Sequence, residues 1–350
     1  MQLKELDYDL PKALIADRPA EPREKCRLMV IHRLTGRIEH RCFTELGDYL
    51  HEGDLLVLNS ARVIPARCYA FLEDQPGIHI EILALDPGPT AHCQTLLKPS
   101  RKIRARVHLL SAKNHYFIRV MDRNENGSWI LELEEKTSNW MKFLEEEGEM
   151  PLPHYILKRR PLKSSVPQDR YWYQTAYADR EGAIAAPTAG LHFSIEMLNQ
   201  FQQNGIDVAK IFLKIGMGTF QPIRTSTVEE HILSLEEYEI NQEATSKIHG
   251  TKSRRGRVIA VGTTVVRSLE FCASKYGRVL SSRGNTNLLI SPPYSFRTVD
   301  ALITNFHLPK TTLLALVYAF GGTELIRKAY REAIRTGYRF YSYGDAMLIR

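Results

Sequence analysis

The chain has 350 residues, of which 43% are hydrophobic and 25% charged, and its formal net charge is +7. That length points to one large or two medium domains, and the residue balance is that of a soluble globular protein. Met1-Gln2-Leu3-Lys4-Glu5-Leu6-Asp7 carries no signal-peptide pattern and the longest apolar run, Leu313 to Phe320, is too short for a bilayer, so a cytoplasmic protein without membrane contact is expected.

The first 65 residues start with a proline-rich lead (Pro11, Pro19, Pro22), followed by Arg27-Leu28-Met29-Val30-Ile31-His32. Asp54 to Asn59 is a continuous apolar run after a glycine and predicts a buried strand. Asn59 to Arg67 then forms a polar, basic turn at the strand's end, where open α/β sheets place ligands.

The pattern changes between 66 and 152. Ile78 to Leu83, His115 to Val120 and Trp129 to Leu133 alternate, with turn signals at Asp86-Pro87-Gly88-Pro89 and Asn124-Glu125-Asn126-Gly127. Short alternating strands at nearly even spacing predict a small antiparallel barrel, and the first clear helical pattern is Trp140 to Glu147.

After Pro151-Leu152-Pro153 helices and strands mix. Ile195 to Asn204 predicts a helix capped by Ser194 and closed by Gly205, followed by a strand over Val208 to Leu213 and a helix over Gln242 to Gly250. Arg257 to Gly262 predicts another buried strand, leading through Thr263-Thr264 into a helix past Arg267 and Glu270. Ala301 to Ile303 is a predicted strand entering a Thr304 loop, and Leu313 to Phe320 a helix. The expected fold is therefore mixed α/β. A discontinuous α/β domain, 1–65 and 153–350, carries an inserted antiparallel β-barrel over 66–152.

Five scattered cysteines (Cys26, Cys42, Cys68, Cys93, Cys272) form no Cys-x-x-Cys pair, so neither a disulfide framework nor a zinc knuckle is supported. His32, His40 and Cys42 come nearest to a ligand set, and alternation along a strand explains their spacing more cheaply. Basic residues gather in three blocks: Lys98 to Arg106, Lys158 to Lys163 and Lys252 to Arg257. Segregated cations suit a phosphate-facing surface, because each neutralised phosphate releases counterions; solvated loops are the plainer explanation.

Two segments stand out chemically. Ala186-Pro187-Thr188-Ala189-Gly190-Leu191-His192-Phe193 and Thr304-Asn305-Phe306-His307-Leu308-Pro309 each set a histidine beside hydroxyl or amide groups in a turn between apolar segments. Histidine exchanges protons near neutral pH, so His192 and His307 are acid–base candidates, although a single histidine is more often structural. Gly216-Met217-Gly218-Thr219 permits close backbone approach to a ligand but has neither P-loop nor dinucleotide spacing. Arg62, Arg67 and Arg267 could clamp a carboxylate or phosphate, against the plainer reading of structural ion pairs. Asp345 is as readily a fixing residue as a chemical one.

These residues resemble the S-adenosylmethionine:tRNA ribosyltransferase-isomerase family of queuosine biosynthesis. The matching segments are Arg27-Leu28, Gly53 to Arg67, Leu97-Lys98-Pro99, Pro151-Leu152-Pro153, Tyr173-Gln174-Thr175, Ala185 to Phe193, Gly216 to Pro222, Arg257 to Glu270, Thr304 to Pro309 and Tyr338 to Ile349. They follow the family's order over nearly the whole chain.

The resemblance implies transfer and isomerisation of the ribosyl group of S-adenosylmethionine onto 7-aminomethyl-7-deazaguanine at the tRNA wobble position, with release of adenine and methionine. It also implies an α/β fold interrupted by a barrel and no metal or bound cofactor. On this reading His192, His307 and Thr188 are catalytic. Asn59, Arg62, Gly190, Gly216, Gly218, Thr219, Arg267, Thr304 and Asn305 bind S-adenosylmethionine, with Arg267 on the methionine carboxylate. Lys98, Arg101, Lys102 and Arg67 bind tRNA, and a monomer is expected.

Two departures matter. Lys214 stands in Leu213-Lys214-Ile215-Gly216 where the family has histidine, and Ser234 in His231-Ile232-Leu233-Ser234-Leu235-Glu236 replaces another. Pro293 stands where glycine is common, and Ser100 replaces another small residue. The missing histidines leave open an RNA-binding paralogue with altered or lost catalysis. An S-adenosylmethionine-dependent RNA methyltransferase is a further alternative, disfavoured because no Gly-x-Gly-x-Gly strand–loop signature lies near the N-terminus.

Overall fold

Leu55–Asn59 is buried at every position: parallel strands flank it on both sides, Asp207–Leu213 and Val258–Val261, and packed side chains cover both of its faces. A strand covered on both faces reads as an unbroken apolar run, which is why this segment was visible in the sequence. The computed structural model describes residues 1–113, 116–134, 139–216, 223 and 225–350, without the side chains of Pro76 and Lys102.

The large sheet has nine strands among the described residues. In spatial order they are Ser282–Thr286, Glu236–Ile240, Asp207–Leu213, Leu55–Asn59, Val258–Val261, Ala301–Asn305, Ala346–Ile349, Arg27–Ile31 and Ile38–Cys42. The centre is parallel, both edges are antiparallel, and Ala346–Ile349 enters antiparallel to Ala301–Asn305 but parallel to Arg27–Ile31. Successive residues face opposite cores. Leu55 and Val57 pack with the helices Gln242–Ser253, Thr263–Tyr276 and Thr312–Gly321. Leu56 and Leu58 pack with Phe43, Phe193, Leu198 and Phe201 on the other side.

The expected barrel is present as a closed, antiparallel ring of Trp129–Leu133, His92–Lys98, Gln75–Ala84, Arg67–Leu72, His108–Ser111 and Phe117–Arg123. Its interior is filled by residues such as Cys68, Ile80, Ile82, Leu109 and Val120, with Trp140, Phe143 and Leu144 of the helix Trp140–Glu147 joining the same core. Asn139 caps that helix by accepting from the amides of Met141 and Lys142. The chain enters and leaves the barrel at one place: Arg67 and Glu149 exchange backbone hydrogen bonds of 3.2 and 2.7 Å. Gly148 makes that approach possible, since a Cβ there would lie 2.0 Å from the Pro65 carbonyl oxygen.

Three barrel strands (Arg67–Leu72, His92–Lys98, His108–Ser111) and the amphipathic helix Thr323–Arg335 are not among the elements expected from the sequence. Thr304 and Asn305 also differ from expectation, because they complete the strand Ala301–Asn305 instead of opening a loop. Among the described residues no helix is long and apolar enough to cross a membrane.

Candidate active site

Two neighbouring parallel strands, Val258–Val261 and Ala301–Asn305, end side by side. The first turns at Gly262, whose φ of +99° is the left-handed region that favours glycine, and continues directly into the helix Thr263–Tyr276. The second carries Thr304 and Asn305 and passes into Phe306-His307. The short 3₁₀ turn Thr188–His192 packs against this strand. Between them lies a niche of about 30 Å³, lined by Thr188, Thr263, Thr264, Thr304, Asn305 and His307 together with Gly262 and Ala186–Ala189. This is the crevice beyond the carboxyl ends of parallel strands, where open α/β sheets bind ligands.

The two motif segments do meet, through Asn305 and His192. Asn305 Nδ2 donates to His192 Nε2 at 3.1 Å and to the Tyr341 carbonyl at 3.2 Å. Nε2 is therefore the acceptor, and His192 Nδ1 carries the proton toward Cys26 Sγ at 3.2 Å. His192 is 4% exposed, packs against Phe43 and does not line the niche. Both of its ring nitrogens are engaged, one by Asn305 and the other by Cys26. His307 does line the niche, with Nε2 2.9 Å from Thr304 Oγ1. Its backbone is held at both ends, by the Tyr330 hydroxyl on the amide and the Tyr8 hydroxyl on the carbonyl.

Burial pushes both imidazoles down to about 3, the Arg339 and Arg23 charges adding to the effect at His192. Both rings are neutral at pH 7. Two buried polar atoms of the niche residues lack any partner, Asn305 Oδ1 and Thr264 Oγ1.

Most other expected ligands serve the fold. Asn59 is fully buried and ties its strand to the next one, accepting from the Leu213 and Ala61 amides and donating to the Leu213 carbonyl. Arg62 donates to the Ala178 carbonyl. A Cβ on Gly190 would sit 1.9 Å from the Tyr177 hydroxyl, so that glycine makes room for the tyrosine. Arg267, the expected carboxylate clamp, is buried against Glu236 and donates to the Leu288 carbonyl. Gly216 donates its amide toward Glu236 at 3.4 Å, and Gly218 and Thr219 lie outside the described residues. Asp345 is a fixing residue: its carboxylate accepts from the amides of Arg27 and Arg339.

The replaced family positions stand apart from the niche. Lys214 pairs with Asp86 of the barrel at 2.5 Å, and Ser234 is exposed. His32, His40 and Cys42 engage Glu39, Tyr338 and the Glu24 carbonyl separately, and no group of three or more metal-binding side chains occurs among the described residues.

A second cavity, about 560 Å³, opens at the barrel mouth and is lined by Leu83, Leu96 and Pro99, by the cations Arg67, Lys98, Arg101 and Arg123, and by Glu81. Among the described residues Lys98, Arg101 and Arg123 have no carboxylate partner, whereas Arg119, Arg180 and Lys210 are paired. Arg67 differs from expectation: it is 3% exposed, donates to the Leu152 carbonyl and lies 3.3 Å from Glu81. The side chain of Lys102 lies outside the described set. A larger cleft of about 780 Å³ is lined by Lys210, Arg180 and Lys247, each already paired with an acid. Thr264 and Cys26 were missed by sequence reasoning. A threonine one residue into a helix gives no chemical signal, and a cysteine far away in sequence none at all.

Fold and niche define an α/β protein with a barrel insert and a small polar site built on a neutral histidine at adjoining strand ends. The chain belongs to the queuosine biosynthesis protein family, whose pattern it matches over residues 3–349. Relatives from Moorella thermoacetica and Thermotoga maritima, both named S-adenosylmethionine:tRNA ribosyltransferase-isomerase, are 44% identical over 349 residues and 100% of both chains. The crystal structure of S-adenosylmethionine tRNA ribosyltransferase from Thermotoga maritima at 2.00 Å resolution is 36% identical, with a TM-score of 0.56, over 99% of this chain and 100% of that one.

Proposed function

We propose that this protein transfers and isomerises the ribosyl group of S-adenosylmethionine onto 7-aminomethyl-7-deazaguanine at the wobble position of tRNA, releasing adenine and methionine. The observation that carries it is the meeting of the two motif segments at one niche, in a chain whose full-length relatives bear that enzyme's name.

His307 is the proton carrier of this reading. The hydrogens beside a sulfonium are acidified by the positive sulfur, and a neutral imidazole lining the niche can take one. With His192 behind Asn305, one histidine serves both ends of the reaction. The proton taken from carbon is then the proton available to departing adenine. Thr304 orients the ring, Thr188 stands at the rim, and Asn305 binds substrate. Lys98, Arg101 and Lys102 bind the tRNA backbone. S-adenosylmethionine enters as substrate, no resident cofactor takes part, and the protein works as a monomer in the cytoplasm.

Incubation with S-adenosylmethionine and tRNA bearing the modified base tests this directly. Release of adenine that depends on the tRNA is the expected result. S-adenosylhomocysteine would identify a methyltransferase instead, and tRNA binding without adenine release an inactive paralogue.

A further inference from the structure

We propose that the cavity at the barrel mouth takes one unstacked base of the tRNA anticodon loop, other than the wobble base, against the Arg123 guanidinium. This rests on the tRNA reading above and adds to it which part of the RNA the barrel binds.

The lining combines two chemistries. Leu83, Leu96, Leu97 and Pro99 give apolar walls, while Lys98, Arg101 and Arg123 are exposed cations without an acidic partner among the described residues. Cations alone would serve a phosphate, to which apolar walls contribute nothing. A nucleotide of a single-stranded loop uses both: its base stacks on apolar or guanidinium surface while its phosphates stay on the charged rim. The volume of about 560 Å³ lies within the ~300–1,000 Å³ of ordinary ligand pockets.

Arg123 is held in place for stacking. Its guanidinium carbon stands 5.6 Å from the centre of the Trp129 ring, and Trp129 is fixed by donating to Ser100 Oγ at 3.1 Å. Glu81 is the one carboxylate of the lining. It lies 3.3 Å from Arg67 Nε and 3.5 Å from His154 Nε2, yet accepts no hydrogen bond among the described residues and is 19% exposed. Base edges carry the N–H donors that such a carboxylate takes, whereas a phosphate or an acyl chain has none.

A second basic block reaches the same place. His154 lines the cavity and opens the helix His154–Arg159, whose exposed Lys158 and Arg159 also lack an acidic partner among the described residues. Burial lowers the His154 pKa, and the charges of Arg67, Lys98 and Lys158 lower it further against the pull of Glu81. Lys98 and Lys158, far apart in sequence, thus act on one imidazole. The barrel is a closed ring, so it offers no sheet edge to a peptide strand. A duplex hides the faces of its bases, which leaves a single-stranded loop as the element that fits.

The cavity and the niche share no lining residue, so the reacting base and the stacked base are different ones. They are nevertheless joined. Tyr155, next to His154, donates to Ser342 Oγ and packs edge-on against Tyr341, whose carbonyl accepts from Asn305 of the niche. The loop flanking a wobble base at the niche therefore lies within reach of the barrel mouth.

The test measures filter binding of an anticodon stem–loop RNA and of versions with one abasic residue at each loop position in turn. The proteins are the unmodified chain, R123K, which keeps the charge but not the plane, and L96W, which fills the cavity without changing charge. At one position besides the wobble, loss of the base should weaken binding to the unmodified protein by at least about fivefold. Both variants should bind the intact RNA correspondingly more weakly, bind that abasic RNA as the unmodified protein does, and keep the salt slope. R123K decides alone should melting curves show L96W unfolded. If no position besides the wobble matters, or its loss persists undiminished in R123K, the cavity holds no base and the assignment falls while the tRNA reading stands. If the unmodified protein does not bind the intact RNA, both fall together.

Discussion

His192 and Asn305 form a donor–acceptor pair, Nδ2 to Nε2 at 3.1 Å, that leaves the Asn305 amide oxygen buried without a partner. The ring is in turn fixed by Cys26 on its far side. Under the proposed function His192 therefore acts through Asn305, as a positioning residue.

H192A should lower kcat for adenine release by roughly 10²-fold, the cost of an ångström-scale misplacement in a reacting complex. H192Q, whose side-chain oxygen can still accept from Asn305, should recover most of the loss. The pH–rate profile should stay where it is in both variants. A profile displaced by H192Q would return His192 to acid–base work.

His307 carries the opposite expectation. H307A should reduce tRNA-dependent adenine release by about 10²–10⁴-fold while leaving S-adenosylmethionine affinity within about threefold. Single-turnover kinetics with saturating tRNA separate the two quantities. Turnover at the normal rate would remove the base from this residue.

The parallel centre of the sheet was legible because strands covered on both faces, such as Leu55–Asn59 and Val258–Val261, read as apolar runs. The barrel strands Arg67–Leu72, His92–Lys98 and His108–Ser111 were not. Small or polar residues such as Ala70, Thr95 and Ser111 occupy their inward positions, which blurs the alternation. At the site, spacing marked the segments that meet but not which side chains face the niche. His192 and His307 look equivalent in sequence, and only the packing of Phe43, Cys26 and Asn305 around the first withdraws it. Arg267 likewise reads as a free guanidinium until the fold sets Glu236 against it.

Acid should destabilise the protein over a defined window. His192 and His307 are held near 3 in the folded chain and titrate near 6.5 when unfolded, so the unfolded state binds more protons between those values. Their contribution is complete above pH 6.5 and is lost as pH falls toward 3, by about 1.4 kcal/mol per pH unit for each histidine. Denaturant midpoints at pH 7.0, about 6.0 and about 5.5 measure the slope where carboxylates with the ordinary values of 3.8 and 4.5 are still largely ionised. H307Q should roughly halve it. An unchanged slope in that variant would mean that His307 is not buried as a neutral ring.

Around the barrel mouth, exposed and buried cations should behave differently. Lys98, Arg101 and Arg123 have no acidic partner among the described residues and border one cavity, so a polyanion meets them without first breaking ion pairs. Replacing Lys98, Arg101 and Arg123 by alanine should weaken tRNA binding at 50 mM salt and flatten its dependence on log salt, by about 0.7–0.9 for each phosphate no longer neutralised. Thermal stability should change little, because exposed charges contribute little to folding. R67A should do the reverse. It removes the donor to the Leu152 carbonyl and the neighbour of Glu81, so the barrel junction loses about 1–3 kcal/mol while the salt slope for tRNA is unaltered. Filter binding across a salt series, read beside melting curves for the same variants, decides it. A salt slope that shifts with R67A but not with the three exposed cations would move the tRNA contact from the rim into the cavity.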